Sequence, residues 1–469
     1  MSIQKVFDQG RSGLATNQKG LSVTSHNISN VNTDGYSRQR VDVENIDPTD
    51  LGAGRVGGGA RVRSIARSHS DFVSRRLEKE GTDLHRARAT TGIYSQIENI
   101  FTNDSEQGLS KTMSGFFNEV RSLSTDPTSM PMRSAVVESA NNVARDFNRL
   151  NKALDDVRVD LDNRVEGTVM RVNGLTQRIA DLNQRIMGIE GSQGVANDER
   201  DRRDLALREL SGLVDIQVST IENGGVNVAS GRIGTLVSGI DNTEIAALRT
   251  QTEDFPDAMM VGVKTASNGV RDVSEYVKGG ELGAYLNTRD EFLAGLKSDV
   301  NQMAGTFASN VNQVNASGFD GRGDKGGGIF DFDTGAVGAG TIKVSDELRL
   351  NPNLLAGAMK QGAAGDNSVL LQMADLESKA IVGGEKTLLD FNSEIVGRVG
   401  IETRSANEAL ETQEGIYAQL ENLREEESGV SLDEEAMNMI KYQKAFDASA
   451  KVIQVADSML ETVLNLKRF

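Results

Sequence analysis

The sequence of 469 residues lacks cysteine and tryptophan, and aromatic residues make up only 4% of it. Without cysteine the chain has no disulfides, thiol nucleophiles or thiolate metal ligands. The three histidines, His26, His69 and His85, do not follow a zinc-type spacing, and the sequence contains no P-loop and no Gly-x-Ser-x-Gly motif. We therefore predict a non-enzymatic chain with no catalytic residues, no cofactor and no metal site.

Positive charge is also scarce, because 51 basic residues stand against 68 acidic ones and leave a formal net charge of −17. This balance argues against nucleic acids and anionic membranes as partners. The sequence contains no apolar run of about 18 residues, the length that a membrane span needs. The first residues, 1–8, also lack the apolar core of a cleaved signal peptide. Composition alone would place the chain in the cytoplasm.

What the sequence does contain is a heptad pattern at its beginning. Phe7, Leu14, Leu21 and Ile28 are each seven residues apart, and Ile3 and Gly10 fill the alternate positions of the stripe. This spacing is typical of a coiled-coil seam. The helix leads into the run 27–36, in which asparagine and glycine residues predict a helix end and a turn.

The last helix, from about Ser431 to Leu466, follows the same rule. Met439, Phe446, Ile453 and Leu460 are seven apart, and Ala450 and Leu464 belong to the same stripe. The pattern Ser431-Leu432-Asp433-Glu434 predicts a capping box, in which Ser431 accepts a hydrogen bond from the Glu434 amide and the Glu434 side chain reaches back. Two seams at opposite ends of the chain predict one terminal coiled coil formed by both.

Short motifs in both terminal regions resemble one family. The run Asn27-Ile28-Ser29-Asn30-Val31-Asn32-Thr33-Asp34-Gly35-Tyr36, followed by Ser37-Arg38-Gln39-Arg40, resembles the N-terminal signature of bacterial flagellar axial proteins, the rod, hook and hook-associated families. His26 and Asp34 depart from the usual pattern. At the other end, 442–453, which includes Tyr442 and Gln443, and 457–460, which begins with Asp457, resemble the C-terminal signature of the same families. The runs 197–239 and 279–283 are similar to the hook-associated members alone.

This resemblance implies a structural subunit that joins hook to filament in a ring built through its terminal helices. It also implies export from the cytoplasm without a cleaved signal, and an extracellular location in the flagellum. The implied partners are other copies of the chain, the hook protein, the second junction protein or filament, and a cytoplasmic chaperone on the C-terminal helix. The implied assembly residues are those of the two signatures and stripes: Ile3, Phe7, Leu14, Leu21, Asn27, Ile28, Asn30, Thr33, Gly35 and Tyr36, with Met439, Tyr442, Gln443, Phe446, Ala450, Ile453, Asp457, Leu460 and Leu464.

The last helix is apolar well outside its seam, at Met437, Ile440, Val452, Val455, Met459 and Val463 among others. A helix that is apolar on more than one face is normally surrounded by partners. We therefore expect the terminal segments to be disordered in the monomer and to become helical when neighbouring subunits cover them.

Between the termini the pattern predicts a mainly α-helical body. Helices are expected over 67–101, 109–123 and 197–213, and a very long one over 132–189. The long helix is predicted to form an antiparallel bundle with helices over 281–314 and 388–424. Residues 214–278 contain several strand-like runs and a hairpin signal at Glu222-Asn223-Gly224-Gly225, which predicts a small β-rich insert on the outside.

The predicted division is a terminal coiled-coil domain from 1–36 and 431–469, a helical bundle body with short strands from 37–213 and 279–430, and the β-rich insert from 214–278. Two alternatives stay open. A hook or distal rod subunit would share the termini, and a cytosolic coiled-coil scaffold protein would explain the heptads without any family.

Overall fold

The structure is a computed structural model that describes residues 3–47, 49–50, 55–105, 108–192, 194–231, 233–251, 256–264, 269–333, 336–363 and 365–466. The ends of the predicted terminal domain, 1–2 and 467–469, lie outside the described residues. The helices, in chain order, are α1 (Ile3–Ser29), α2 (Asp71–Ser105), α3 (Leu109–Leu123), α4 (Met130–Gly191), α5 (Asn197–Leu213), α6 (Gly280–Asn287), α7 (Ala294–Ser317), α8 (Asp346–Leu350), α9 (Ser368–Asp375), α10 (Leu388–Ser428) and α11 (Leu432–Leu466). A single π-helical turn, Thr288–Leu293, connects α6 to α7.

The strands are short and antiparallel. They are β1 (Gln39–Asn45), β2 (Thr49–Asp50), β3 (Arg55–Val56), β4 (Ala60–Arg67), β5 (Gln217–Thr220), β6 (Val226–Ser230), β7 (Gly234–Ser238), β8 (Asp241–Asn242), β9 (Ile245–Gln251), β10 (Pro256–Lys264), β11 (Val270–Asp272), β12 (Phe330–Phe332) and β13 (Ile342–Val344). Strand β1 pairs with β4, β2 with β3 and β12 with β13, while β5-β6-β7-β8 and β11-β10-β9 form the two larger sheets. The mainly α fold with small β portions is confirmed.

Helix α4 is the axis of the body. It begins with Pro131 in its first turn, where a missing N–H costs nothing. Its 62 residues extend over about 90 Å at 1.5 Å per residue. Buried apolar residues recur along one side from Val136 to Ile186, so that a single long helix contributes to the core over most of its length. Helices α3, α5 and α6 pack against it.

One cluster of phenylalanine rings lies in the core of the body. Phe307 lies at its centre, with ring centroids 5.1 Å from Phe330, 5.6 Å from Phe116 and 6.2 Å from Phe147. All are fully buried. Because α3, α4, α7 and β12 each contribute a ring, the cluster holds the end of the body far from the chain termini together.

The prediction that α10 packs against α4 is wrong. Helix α10 packs along α2, and its buried residues Ile395, Val399 and Ala406 belong to its first half. The heptad patterns of α10 and α4 show that each helix has an apolar stripe, but they do not show which other helix that stripe packs against. Helix α2, expected to begin at Arg67, starts at Asp71 because residues up to Arg67 belong to strand β4.

The β-rich stretch lies along α4 and shares its core. Asn183 of α4 donates to the carbonyl oxygen of Val226 at 2.8 Å and accepts from its amide at 3.1 Å. Asn173 makes the same pair of bonds with Ile245, at 2.8 and 3.0 Å. The side chains of these two asparagines thus provide hydrogen-bond partners for backbone groups of the sheets that face the helix. The predicted hairpin turn is present, with Asn223 at φ 65° and Gly224 at φ 79°.

A buried ion pair joins α4 to the π-helical turn. The Asp162 carboxylate accepts from Arg289 Nη1 at 2.7 Å and from the amide of Met259 in β10 at 3.1 Å. Both side chains are no more than 5% exposed. Asp162 is also 3.2 Å from Arg158 Nη1, and Arg289 pairs through Nε with the half-exposed Asp290 at 2.7 Å. Two guanidinium groups and two carboxylates thus balance one another in a small network.

We predict that Asp162→Ala lowers the free energy of unfolding by roughly 1.5–3 kcal/mol, because it removes the buried carboxylate that accepts from Arg289 and leaves that cation with the more exposed Asp290 alone. The matched control is Asp160→Ala two residues earlier, which removes an exposed pair with Arg164 and should cost less than about 1 kcal/mol. Denaturant unfolding of the full chain measures both. Equal losses in the two variants would contradict the assignment of Asp162 to the core.

Candidate assembly site: the paired terminal helices

Helices α1 and α11 pack side by side in antiparallel fashion, and small residues set their separation. A β-carbon placed on Gly10 would lie 2.8 Å from Ile453 Cγ1, and one on Gly13 would lie 2.9 Å from Ser449 Oγ. A β-carbon on Gly20 would lie 2.6 Å from Cε1 of Tyr442. The larger side chains of α11 therefore occupy space that the glycines of α1 leave empty, and the two backbones approach closely.

The contact face of α1 differs from the predicted stripe. The fully buried residues are Gly10, Thr16, Gly20, Val23, Thr24 and Asn27. Phe7, Leu14, Leu21 and Ile28 are only half-buried, as is Ile3, and they lie along the edge of the contact with α11. The other side of α1 packs on the β1–β4 hairpin, where Thr16 Oγ1 donates to the carbonyl of Ala60 at 3.2 Å. The heptad therefore predicted the pairing of the helices, but of the residues at the centre of the contact it included Gly10 alone.

On α11 the predicted residues divide into two groups. Met439, Tyr442, Phe446, Ala450 and Ile453 face α1 and are half-buried, whereas Gln443, Asp457, Leu460 and Leu464 are exposed. Gly10 faces Ile453, so α1 begins about opposite Leu460. Leu464 thus continues the stripe beyond the segment that α1 covers.

A second apolar face of α11 is largely uncovered, although Val452 at its edge comes close to α1, at Gly10. Met437 is 64% exposed and Ile440 58%, and the face continues to the C-terminal end with Val452, Val455, Met459 and Val463. Ala456 is the sole buried apolar residue among the described positions of α11. Apolar surface of this extent on a helix is typical of an interaction site.

Asn27 connects the end of α1 to the rest of the molecule and is 1% exposed. Its Nδ2 donates to the carbonyl of Gln39 at 2.8 Å and to Glu435 Oε2 at 3.0 Å. Its Oδ1 accepts from the Gln39 amide at 2.9 Å and from the Tyr36 hydroxyl at 2.7 Å. One buried amide thus joins α1, strand β1 and the first turn of α11, with both its donors and its acceptor used.

The remaining signature residues shape the turn between α1 and β1. The Thr33 amide donates to the carbonyl of Asn30 at 3.0 Å, and Gly35 has a φ of +78°, which favours glycine. Burial, followed by the carboxylates of Asp198, Asp201 and Glu435, raises the pKa of the Tyr36 phenol. Tyr36 therefore stays protonated and keeps donating to Asn27.

The start of α11 departs from the predicted capping box. The Glu434 amide lies 3.5 Å from Ser431 Oγ, but the Glu434 carboxylate does not reach back. It accepts instead from Arg38 Nη1 at 2.7 Å, while Arg38 Nε donates to the buried Glu435 at 2.9 Å. The Arg38 guanidinium, which bridges two adjacent carboxylates, holds the first turn of α11 against the turn after α1. These charged hydrogen bonds are stronger than the bond that the Glu434 side chain would make in a local capping box.

The body side of this junction comes from α5 and β4. Asp201 accepts from the Ser37 amide at 3.0 Å and from Arg67 Nη1 at 3.0 Å, and Arg67 also pairs with Asp204 at 2.6 Å. We call Asn27, Arg38, Glu435, Arg67 and Asp201 the polar junction. Apart from Asn27, none of these was predicted as a site residue. The signals were present in the Arg38 of the N-terminal motif and in the charged run 197–204, but sequence alone does not show that they meet.

A cavity of about 150 Å³ adjoins the junction, between α2, α5 and β5–β6. Glu78 lines it together with Asp204, Arg75 and His69. Burial, followed by Asp204, raises the pKa of Glu78 to about 7, against the opposing effect of Arg208 and Arg75. Burial also lowers the pKa of His69.

None of the described parts of the chain brings together three or more histidine or acidic side chains in a way that could hold a metal ion. Among the described helices, none combines the length and the apolar character of a membrane span.

Comparison with known proteins defines the class first. The family model of the flagella basal body rod protein matches residues 7–36, and that of the flagellar basal body rod FlgEFG protein C-terminal region matches residues 424–466. These are the two helices that pair in the structure, so the chain is a structural component of the flagellar axis.

The middle of the chain gives the family. Residues 94–330 match the model of the flagellar hook-associated protein FlgK helical domain. Flagellar hook-associated protein 1 of Bacillus subtilis is 30% identical over 98% of this chain and 97% of its own length. The protein of the same name from Escherichia coli is 24% identical over 99% of this chain and all of its own length. The chain belongs to the flagellar hook-associated protein 1 family.

A solved structure shares the fold. The flagellar hook junction protein FlgK from Burkholderia pseudomallei superposes with a TM-score of 0.68 at 14% sequence identity, over 76% of this chain and 100% of that one. Membership in the hook-associated family sets aside the two alternatives left by the sequence, a hook or rod subunit and a cytosolic scaffold.

We predict that Gly20→Ala weakens the pairing of α1 and α11, although alanine favours an isolated helix by about 1 kcal/mol, because the new methyl group displaces the Tyr442 ring. The pairing is measured as the rate of disulfide formation between cysteines introduced at Asn17 and Ser449, whose side chains lie 3.5 Å apart. The chain has no other cysteine. Gly167→Ala in α4, where a β-carbon meets nothing within 4 Å, should leave the rate unchanged. An unchanged rate in Gly20→Ala would show that the glycine does not set the helix separation.

We also predict a pH-dependent effect of Glu78→Gln. The folded chain binds the Glu78 proton more tightly than the unfolded chain, so this stabilisation is complete below about pH 4.5 and is lost as the pH rises to about 7. At pH 8 the variant should therefore be more stable than the wild type by roughly 1–3 kcal/mol, and at pH 4 nearly equal to it. Thermal unfolding at both pH values measures this, with Glu166→Gln on the exposed side of α4 as control. A gain of the same size at pH 4 and pH 8 would contradict the prediction.

Proposed function

We propose that the chain is the structural subunit that joins the flagellar hook to the filament, and that it assembles into a ring through its terminal helices. The observation that carries the proposal is the uncovered apolar face of α11, from Met437 to Leu464, which α1 leaves exposed. The similar structure from Burkholderia pseudomallei is that of a flagellar hook junction protein, which supports the location.

Two surfaces of the terminal coiled coil are available for neighbouring subunits. One is the uncovered face of α11, and the other is the half-buried edge of α1 at Phe7, Leu14, Leu21 and Ile28. Burial of each large apolar side chain stabilises a contact by roughly 1.5–3 kcal/mol. Neighbouring copies would therefore cover what a single chain leaves open, and we expect the termini of a free subunit to be disordered until this happens.

The proposal assigns a role to each region. Residues 1–36 and 431–469 form the inner tube, residues 37–213 and 279–430 the surrounding wall, and residues 214–278 the outer surface. The polar junction supports this assignment, because it fixes the coiled coil at one end of the body through side chains from four different elements. The subunit would adapt a curved, flexible hook to a stiffer filament.

The partners follow from the same surface. Beyond its own copies, the subunit would contact the hook protein on one side and the second junction protein or filament on the other. Before assembly, a cytoplasmic chaperone would cover the apolar face of α11 and keep the chain soluble until it is exported, without cleavage, through the flagellar export apparatus. The exposure of that face in the single chain supports this step.

The test uses a flagellated host in which the chromosomal copy is deleted and a plasmid supplies the chain. Loss of a junction subunit should leave hooks intact while flagellin is released into the medium. Wild-type chain should restore filaments, and Val455→Asp should not, because it places a charge in the uncovered face of α11 without disturbing the α1 contact. Val159→Asp, at a similarly exposed valine on α4, is the matched control and should restore filaments. Filaments at wild-type number with Val455→Asp, or loss of the hooks on deletion, would refute the proposal.

A further inference from the structure

A groove of about 540 Å³ lies on the surface of the body between α4, α5 and the second half of α10. Its floor contains the apolar side chains of Leu175, Leu205 and Leu213, and Tyr417 of α10 forms one wall. The opposite wall is basic and includes Arg178 of α4. The groove thus combines an apolar floor with cationic sides in a chain whose net charge is −17.

The positive charges of the groove are only partly neutralised. Arg171 and His85 share one carboxylate, Glu281, at 3.0 and 3.3 Å. Arg178 and Arg208 have no carboxylate within ion-pair distance in the described part of the chain, and Glu209 is the one acidic residue that lines the groove there. Burial, followed by the nearby Arg424, lowers the pKa of Arg208. A partly buried guanidinium without a partner is costly and favours binding of a carboxylate.

The complementary surface is found on the same chain. From 407 to 427 none of the α10 residues is fully buried, and all of them are described. This half of the helix is rich in glutamate, at positions 408, 411, 414, 421, 425, 426 and 427. Glu414 is paired with Arg88 at 2.9 Å, whereas Glu408 and Glu411 are exposed and make no ion pair among the described residues. Because they are three positions apart, both carboxylates face the same side of the helix.

We propose that the groove of one copy binds the Glu408 and Glu411 turn of α10 from the neighbouring copy. This rests on the proposed ring, and it adds a lateral contact between bodies to the contact between terminal helices. The groove and the Glu408 and Glu411 turn are two different surfaces of the chain. The contact between copies is therefore head-to-tail and can repeat around a closed ring. Guanidinium–carboxylate pairs above an apolar floor are shielded from water and are therefore stronger than exposed pairs.

The experiment is a charge exchange in the full chain, read as the concentration at which subunits associate in light scattering. Arg178→Glu and Glu411→Arg should each raise that concentration by roughly tenfold or more, the effect of losing about 1.4 kcal/mol per contact. The double variant Arg178→Glu/Glu411→Arg should return to near the wild-type value, because the pair is restored with its charges exchanged. Arg185→Glu, two helical turns along the exposed side of α4 and outside the groove, is the control and should behave as the wild type.

A crosslink identifies the occupant. Gly174 lines the groove, and a side chain there meets nothing within 4 Å. Two separately tagged chains, one carrying Gly174→Cys and the other Glu411→Cys, should form a mixed disulfide when they associate, and a Glu347→Cys partner should not.

The outcomes are distinct. Association of Arg178→Glu at the wild-type concentration would overturn the groove contact alone. Loss of association in Arg178→Glu without rescue and without the mixed disulfide would show that a different acidic partner occupies the groove, which also overturns the proposal. Failure of the wild-type chain to associate at any concentration would instead refute ring assembly, and the groove contact with it.

Discussion

The close approach of α1 and α11 is the contact on which the rest of the assembly argument depends. Glycines at positions 10, 13 and 20 let the backbone of α1 come near the side chains of Ile453, Ser449 and Tyr442. A pair of helices held by small residues uses only a narrow face of each helix. The larger apolar residues are therefore left at the edges of the pair and on the far side of α11, where they are available to other chains. The same contact that joins the two ends of the chain thus leaves most of its apolar surface free.

The polar junction determines where this pair of helices points. The glycine contacts set the separation of the two helices, but they do not involve the body and so do not fix the position of the pair relative to it. Asn27, Glu435 and Arg38 supply the missing constraint, since each buried hydrogen bond requires one relative position of α1, β1 and α11. Removing one partner would leave another polar group buried and unpaired, which is costly. Specific geometry at the base of the coiled coil therefore comes from polar groups rather than from apolar packing.

The sequence predicted the individual elements better than it predicted which helices pair and through which faces. The long helix α4, the helix α5 and the hairpin at Asn223 follow local rules of periodicity and turn chemistry, and the structure places them where those rules indicate. The heptad at Phe7, Leu14, Leu21 and Ile28 marked the correct helix but a neighbouring face, because a periodicity argument gives more weight to large apolar residues than to glycine. The pairing of α10 with α2 depends on competition among several similar stripes, which no single stripe reveals. Glu435 was hidden for another reason: a glutamate in the first turn of a helix fits a dipole or capping role equally well.

The distribution of stability along the chain connects these observations to assembly. The body has a buried cluster of phenylalanine rings around Phe307 and neutralises Arg289 within its core, so it contains its own network of buried contacts. The terminal helices have neither feature, and their exposed apolar residues gain free energy only when other chains cover them. In the proposed assembly, a subunit would stay folded in its body while its ends would respond to the concentration of partners. Growth of the assembly would then proceed at its existing end. Subunits that are already ordered there would offer several apolar surfaces to an incoming terminal helix at once, whereas a free subunit in solution meets no such surfaces.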